Sequence, residues 1–262
     1  MNSSKHVFNN QSESKEPDRL ILSNTKGAIP LYMQIKDLLV AKVSAGEWPP
    51  GGIIPSEVRL AQELDVSQGT VRKAITELVE ANVLLRKQGK GTFVTNHDDD
   101  RALFHFFHIY NDSGTKHLPE CETLSCKRKR ATRKESAILE IPNDSKVVCI
   151  DRIRKLEGIP AIVETIILPA EPFKDLIAQP VKALPNMLYE LYETHFGITI
   201  HRAKEQLRAI PATKQDAALL EVEAGDPLLE IKRIALTLAG SPVELRTSRC
   251  STSQHYYLNT VF

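Results

Sequence analysis

The sequence predicts an α+β protein of two domains, and three observations carry that prediction. Its 262 residues suit two domains at roughly 150 residues each. Between Pro30 and Thr95, three stretches of helical apolar spacing precede two short β-rich runs around a glycine-bearing turn. Beyond that, β-rich runs at 146–154, 161–168, 201–210 and 228–238 are interspersed with helical stretches near 133–139, 186–196 and 214–220, which is α+β patterning.

The elements follow in order. Residues 1–27 are polar and are expected to form a loose tail, because few large apolar groups offset the entropy of ordering. Leu31, Ile35, Leu38, Leu39 and Val43 recur at helical spacing and stop at Gly46. After the breaker cluster at Trp48 to Gly52, Pro55, Ser56 and Glu57 signal a second helix start before Leu60, Ala61 and Leu64. A short turn at Asp65 and Val66 leads to Ser67, the cap of a third helix with Val71, Ala74, Ile75, Leu78 and Val79 inside. Two helices joined this closely form a helix-turn-helix, and the hairpin around Gly89 and Gly91 forms a wing. The Asp98, Asp99 and Asp100 run marks a linker, with 97–117 leading into the second domain. No internal repeat is evident.

Composition excludes several classes. With 42% hydrophobic and 26% charged residues the chain has a globular balance. Its apolar runs fall far short of the ~20 residues of a membrane span, and its polar N-terminus lacks a signal core, so a cytoplasmic protein without a membrane partner is expected. Cys121, Cys126, Cys149 and Cys250 lack paired ligand spacing, which leaves no metal or cofactor implied and favours free thiols. His105 and His108 sit among phenylalanines and read as part of an aromatic segment rather than as metal ligands.

The net charge of +1 is uninformative as an average. Locally it is not. Between Val66 and Thr95, Arg72, Lys73, Arg86, Lys87 and Lys90 face only Glu77 and Glu80, a surplus of +3, whereas residues 97–262 carry 22 cations against 23 anions. On the third helix Gly69, Arg72, Lys73 and Thr76 lie opposite the apolar face, with Gln68 on the flank. A helix so arranged fits the major groove, where arginine takes guanine and glutamine takes adenine. Charge alone leaves open the solvated face of an ordinary helical bundle; the glycines and lysines at the hairpin tip favour phosphate contact.

The run Pro30-Leu-Tyr-Met-Gln-Ile, Pro50-Gly51, Ile54-Pro55-Ser56-Glu57, Leu60-Ala61, Val66-Ser67-Gln68-Gly69-Thr70-Val71-Arg72-Lys73-Ala74 and Gln88-Gly-Lys-Gly-Thr-Phe-Val94 closely resembles the GntR-family winged helix over about 28–96. The resemblance implies a regulator of double-stranded operator DNA, read by Ser56, Arg59, Ser67, Gln68, Thr70, Arg72, Lys73, Gly89, Lys90 and Gly91. Val58 and Gln68 stand where the family usually has arginine, so the usual half-site is not expected, with Arg59 a partial replacement.

In the second part, Arg152 and Arg154 fall on one strand face by the period of two, and Glu164 follows a Gly158-Ile-Pro160 turn. A surface salt-bridge ladder and a ligand pocket both fit that pattern. With Leu168-Pro169, Leu188-Tyr189-Glu190, Arg202-Ala203, Leu219-Leu220, Gly225-Asp-Pro-Leu-Leu-Glu230 and Gly240-Ser-Pro-Val-Glu244, however, residues 118–258 resemble the UTRA effector-binding domain of the HutC subfamily, whose antiparallel sheet with helices is similar to chorismate lyase.

That resemblance implies Arg152, Arg154, Glu164, Tyr189 and Glu244 around a small effector, a carboxylate or phosphorylated metabolite, in a dimeric repressor. Met187 and the stretch Cys250-Ser-Thr-Ser-Gln-His-Tyr256 depart from the domain's usual polar residues and favour a carboxylate. The basic run Lys127-Arg-Lys-Arg130 reads as the solvated edge of a strand leading into a helix. The alternative function is a lyase-like enzyme, but no nucleophile–base pair or cofactor loop has diagnostic spacing, so the chain is expected not to be an enzyme.

Overall fold

The computed structural model describes residues 29–96, 107–178 and 180–259; the expected tail and the acidic part of the linker lie outside them, as does His105. The N-terminal unit contains helices α1 (Leu31–Ser44), α2 (Glu57–Glu63) and α3 (Gln68–Glu80), followed by strands β1 (Leu84–Lys87) and β2 (Gly91–Val94). Ile35 and Leu39 of α1, Leu60 of α2, and Val71, Ala74, Ile75 and Leu78 of α3 close on one core with Leu84 and Val94 of the wing. The starts of α2 and α3 are set locally by side-chain caps. Ser56 Oγ accepts the Arg59 N–H at 3.3 Å, and Ser67 Oγ accepts the Thr70 N–H at 3.2 Å.

The wing runs antiparallel from Leu84 opposite Val94 to Lys87 opposite Gly91. Ile53 bridges Phe93 and ties the wing to the α1–α2 loop. Gly91 has φ +115°, a backbone conformation that calls for glycine, and a Cβ there would come within 3.0 Å of Ile53 Cδ1.

The C-terminal unit contains β3 (Ile109–Asn111), β4 (Glu120–Arg130), α4 (Arg133–Leu139), β5 (Lys146–Leu156), β6 (Ile159–Pro169), α5 (Leu188–Phe196), β7 (Ile200–Pro211), α6 (Lys214–Leu220), β8 (Pro227–Thr237), β9 (Pro242–Ser251) and β10 (His255–Tyr257). Six strands form one antiparallel sheet in the order β4-β5-β6-β9-β8-β7, and β3 pairs with β10. Both faces are covered. Leu139 of α4 packs with Val147, Cys149 and Ile167, and Leu220 of α6 packs with Val163 and Leu228. On the opposite face, Leu188, Leu191 and Tyr192 of α5 pack with Val148, Ile150, Ile166 and Leu168. This explains why the central strands read as nearly continuous apolar runs rather than alternating ones.

The sheet corrects one sequence expectation, because it is built from a repeat. β4-α4-β5-β6 and β7-α6-β8-β9 have the same order and meet antiparallel at β6 and β9. Ala131-Thr-Arg-Lys-Glu-Ser-Ala-Ile-Leu-Glu140 matches Ala212-Thr-Lys-Gln-Asp-Ala-Ala-Leu-Leu-Glu221. Both helices carry a capping box, Thr132 with Glu135 and Thr213 with Asp216, and both end on a left-handed glutamate, Glu140 and Glu221. The flanking strands have diverged in composition, so only this short stretch keeps the signature. The basic run Lys127 to Arg130 lies on edge strand β4 and leads into α4. The lead-in segment also contributes to the sheet domain: Phe107 and Ile109 pack with Ile162, Ile231 and Cys250.

Candidate functional sites: a DNA-reading face and a buried polar cluster

In the N-terminal unit the expected DNA-contacting residues share one region, in three different local states. Ser56 and Ser67 act as helix caps, and Ser67 Oγ also lies 2.7 Å from Thr70 Oγ1. Gln68 and Gly69 are exposed at the start of α3, and Gly89, Lys90 and Gly91 are exposed at the wing. The remaining cations already have partners. Arg59 Nε donates to Glu63 at 2.7 Å, Arg72 Nε donates to Glu57 at 2.8 Å, and the Lys73 ammonium sits 3.8 Å above the Tyr32 ring. Arg86 Nη2 donates to Glu57 and to Thr76 Oγ1, each at 3.1 Å. Val58, one of the two departures from the arginine pattern, is 51% exposed beside them.

In the C-terminal unit the sheet face under α5 brings together all five expected effector residues, buried rather than on a surface ladder. Arg152 is opposite Glu164 across β5 and β6, and Glu164 is opposite Ser248 across β6 and β9. Arg152, Arg154, Glu164, Tyr189 and Glu244 are each 6% exposed or less.

Their hydrogen bonds separate them into two groups. Both Glu244 oxygens are occupied: Oε1 accepts from Tyr189 OH at 2.9 Å and Arg246 Nε at 3.0 Å, and Oε2 accepts from Tyr192 OH and Arg246 Nη2, each at 2.9 Å. Arg246 is thus a bidentate partner fixed in a buried site. Glu164 is less complete. Its Oε1 accepts from Arg154 and Arg246 at 3.4 Å and from Ser248 Oγ at 3.3 Å, while Oε2 has no hydrogen-bond partner. Arg154 Nε is also buried without a hydrogen-bond partner, with the Phe107 ring 5.1 Å from its guanidinium. Arg152 donates from Nη2 to the Asn186 carbonyl at 2.8 Å and from Nε to Cys121 Sγ.

Burial raises the pKa of Glu164, but Arg246, Arg154 and Arg152 outweigh it and hold the carboxyl at about 2. Burial, reinforced by Glu244, pushes the Tyr189 and Tyr192 hydroxyls up, so both remain protonated donors. Arg233, paired with Glu205 at 2.6 Å, adjoins the cluster. Arg246, Ser248, Arg233 and Tyr192 escaped sequence reasoning. The period of two on β9 puts Glu244, Arg246 and Ser248 on one face, and Arg233 occupies the repeat position equivalent to Arg152.

A capped helix-turn-helix, its wing and a sheet domain with a buried polar cluster define a transcription regulator of the winged-helix class. Residues 31–94 match the bacterial regulatory proteins of the gntR family, and residues 115–256 match the UTRA domain. The chain belongs to the GntR family of transcription regulators and carries a UTRA domain.

It is 30% identical over 222 residues to the HTH-type transcriptional repressor NagR of Bacillus subtilis 168, covering 84% of this chain and 90% of the relative. It is 27% identical over 220 residues to the histidine utilization repressor of Pseudomonas putida, covering 82% and 85%. Among solved structures, the ligand-binding domain of a GntR-family regulator from Bordetella bronchiseptica aligns with a TM-score of 0.54 at 32% identity, covering 60% of this chain and 98% of that one. No helix among the described residues is long and apolar enough to cross a membrane.

Proposed function

We propose that the protein is a dimeric, cytoplasmic repressor that releases its operator when a small monoanionic metabolite enters the buried cluster of the UTRA domain. In this reading the winged-helix domain spans 28–96, 97–117 links it to the effector domain at 118–258, and α3 and the wing contact DNA. Gln68 and Arg72 face base edges, Lys73 and Lys90 face phosphates, and Gly89 and Gly91 allow close approach. Ser56, Ser67 and Thr70 hold the two helix starts, and Arg59 supplements them.

The observation that carries the effector reading is the pair of orphaned buried atoms, Arg154 Nε and Glu164 Oε2. A ligand with an anionic oxygen for the first and an N–H or O–H for the second completes both, and leaving either unpaired costs about 1–3 kcal/mol. Four guanidiniums (Arg152, Arg154, Arg233, Arg246) surround three carboxylates (Glu164, Glu205, Glu244), leaving one net positive charge. That surplus matches a carboxylate better than a phosphate, which carries roughly −1.5 to −2 at neutral pH. Arg152 and Arg154 grip the anion, Glu164 takes the donor, and Tyr189 with Glu244 braces the pocket. The names of NagR and the histidine utilization repressor support repression as the direction of control.

The test is operator release measured against matched metabolites: hydroxy, amino or imidazole carboxylates, their amides, and sugar phosphates. The expected result is release by a donor-bearing carboxylate, none by its amide, and loss of the response in Arg154→Ala. Release by sugar phosphates alone overturns the monoanion assignment, and an undiminished response in Arg154→Ala overturns the pocket.

A further inference from the structure

Glu57 stands at the first turn of α2 with its carboxylate between the two arginines nearest the DNA-reading face. Its Oε2 takes Arg72 Nε at 2.8 Å and its Oε1 takes Arg86 Nη2 at 3.1 Å. The three residues come from α2, α3 and β1, so one carboxylate ties the helix-turn-helix to the wing. Thr76 closes the arrangement, accepting Arg86 Nη2 at 3.1 Å while donating its own hydroxyl to the Arg72 carbonyl at 2.8 Å.

The choice of nitrogen is informative. Glu57 holds Arg72 by Nε, so that the contact does not occupy the two terminal nitrogens of the guanidinium, on a side chain that is 60% exposed. An arginine held at its base and open at its tip retains the two parallel donors that recognise guanine O6 and N7. Its long stem otherwise keeps many rotamers in the free protein and loses them only on binding. Arg86, held by Nη2 at two acceptors, serves as the second cation that keeps the trio at +1 rather than neutral.

We propose that Glu57 is a positioning residue for sequence reading: it fixes Arg72 for base contact and withholds Arg72 and Arg86 from indiscriminate phosphate contact. The inference rests on the reading of Arg72 as a base contact. It assigns opposite signs to two measurable quantities. Without the carboxylate, two free guanidiniums sit side by side, which strengthens attraction to any duplex while weakening discrimination among duplexes.

The experiment uses the full-length protein, a duplex it selects from a randomised library, and a random duplex of equal length, titrated across roughly 50–200 mM salt. Glu57→Gln is expected to bind the random duplex a few-fold tighter and to steepen the salt dependence by about one unit. It is also expected to lower the selected-to-random ratio by about 10-fold. Thr76→Val, which loosens Arg86 without touching the carboxylate, is expected to move all three in the same direction by less. Arg72→Ala lowers the ratio, and adding Glu57→Gln to it lowers the ratio no further. If Arg72→Ala lowers the ratio while Glu57→Gln leaves it and the salt slope at wild-type values, the positioning role is wrong and the base-reading role stands. Equal weakening on both duplexes by Glu57→Gln reduces the carboxylate to scaffolding and also overturns the proposal. An unchanged ratio in Arg72→Ala removes the base-reading role itself.

Discussion

Glu164 keeps its charge at 3% exposure only because three arginines surround it. Its folded-state pKa, about 2, lies below the ordinary carboxylate value of 4.5. The ionised form therefore favours the folded state, and the stability this contributes is fully present above about pH 4.5 and is lost as pH falls toward 2. Glu205 and Glu135 are depressed in the same direction, so acid unfolding of the wild type has several sources. A difference isolates Glu164. Glu164→Gln is expected to be less stable at pH 7, because Arg154 and Arg246 lose a charged partner, yet to lose less of its remaining stability between pH 4.5 and 2, by up to roughly 3 kcal/mol. Denaturant midpoints at stepped pH check this; parallel curves for the two proteins would refute the assignment.

At the scale of elements, the repeated strand–helix–strand–strand unit supplies a matched pair of caps in different settings. Thr132 Oγ1 accepts the Glu135 N–H at 3.2 Å, and Thr213 Oγ1 accepts the Asp216 N–H at 3.1 Å. Asp216 is 1% exposed and also pairs with Arg249 at 3.0 Å, whereas the Glu135 side chain is 15% exposed and pairs with Lys129. Thr→Ala at an N-cap costs about 0.5–2 kcal/mol, and Thr213→Ala is expected at the upper end because it leaves a buried carboxylate short of a donor, with Thr132→Ala at the lower end. Chemical denaturation of the two variants ranks them, and the reverse order would show that burial of the cap partner is not what matters.

The winged helix was legible because its signals are local: Ser56 and Ser67 at helix starts, apolar spacing along α3, glycines at the wing. The sheet domain was legible only as α+β, since the repeat survives in one ten-residue motif while its strands diverged. The same holds inside the cluster. Arg152 and Arg154 declare themselves by alternation, but that Glu244 is saturated by Tyr189, Tyr192 and Arg246 depends on packing between α5 and β9, which no local pattern encodes.

The whole molecule unites these parts through the β8–β9 hairpin. Its strands carry Arg233, Glu244, Arg246 and Ser248, and its turn carries Leu238, which packs against the winged-helix core. The end of α5 approaches the same place: a cleft of about 800 Å³ is lined by Gly197 and Ile198, by Leu238 and Ala239 of the turn, and by Val83 and Val94 of the wing. In the proposed reading, a rearrangement of the buried arginines on effector binding reaches the N-terminal unit through the β8–β9 turn, where Leu238 meets its core. Allosteric coupling is a free energy that both ligands share, typically about 1–3 kcal/mol, and a residue on the route changes it without belonging to either site. Leu238→Ala is expected to retain affinity for the operator and, in the absence of DNA, for the effector, while the effector's weakening of operator affinity shrinks several-fold. Reciprocity supplies the check: the operator must also lose its influence on effector affinity, by the same factor. A variant that still releases DNA with the wild-type effector dependence would place the coupling elsewhere, with the linker at 97–117 the next segment to alter.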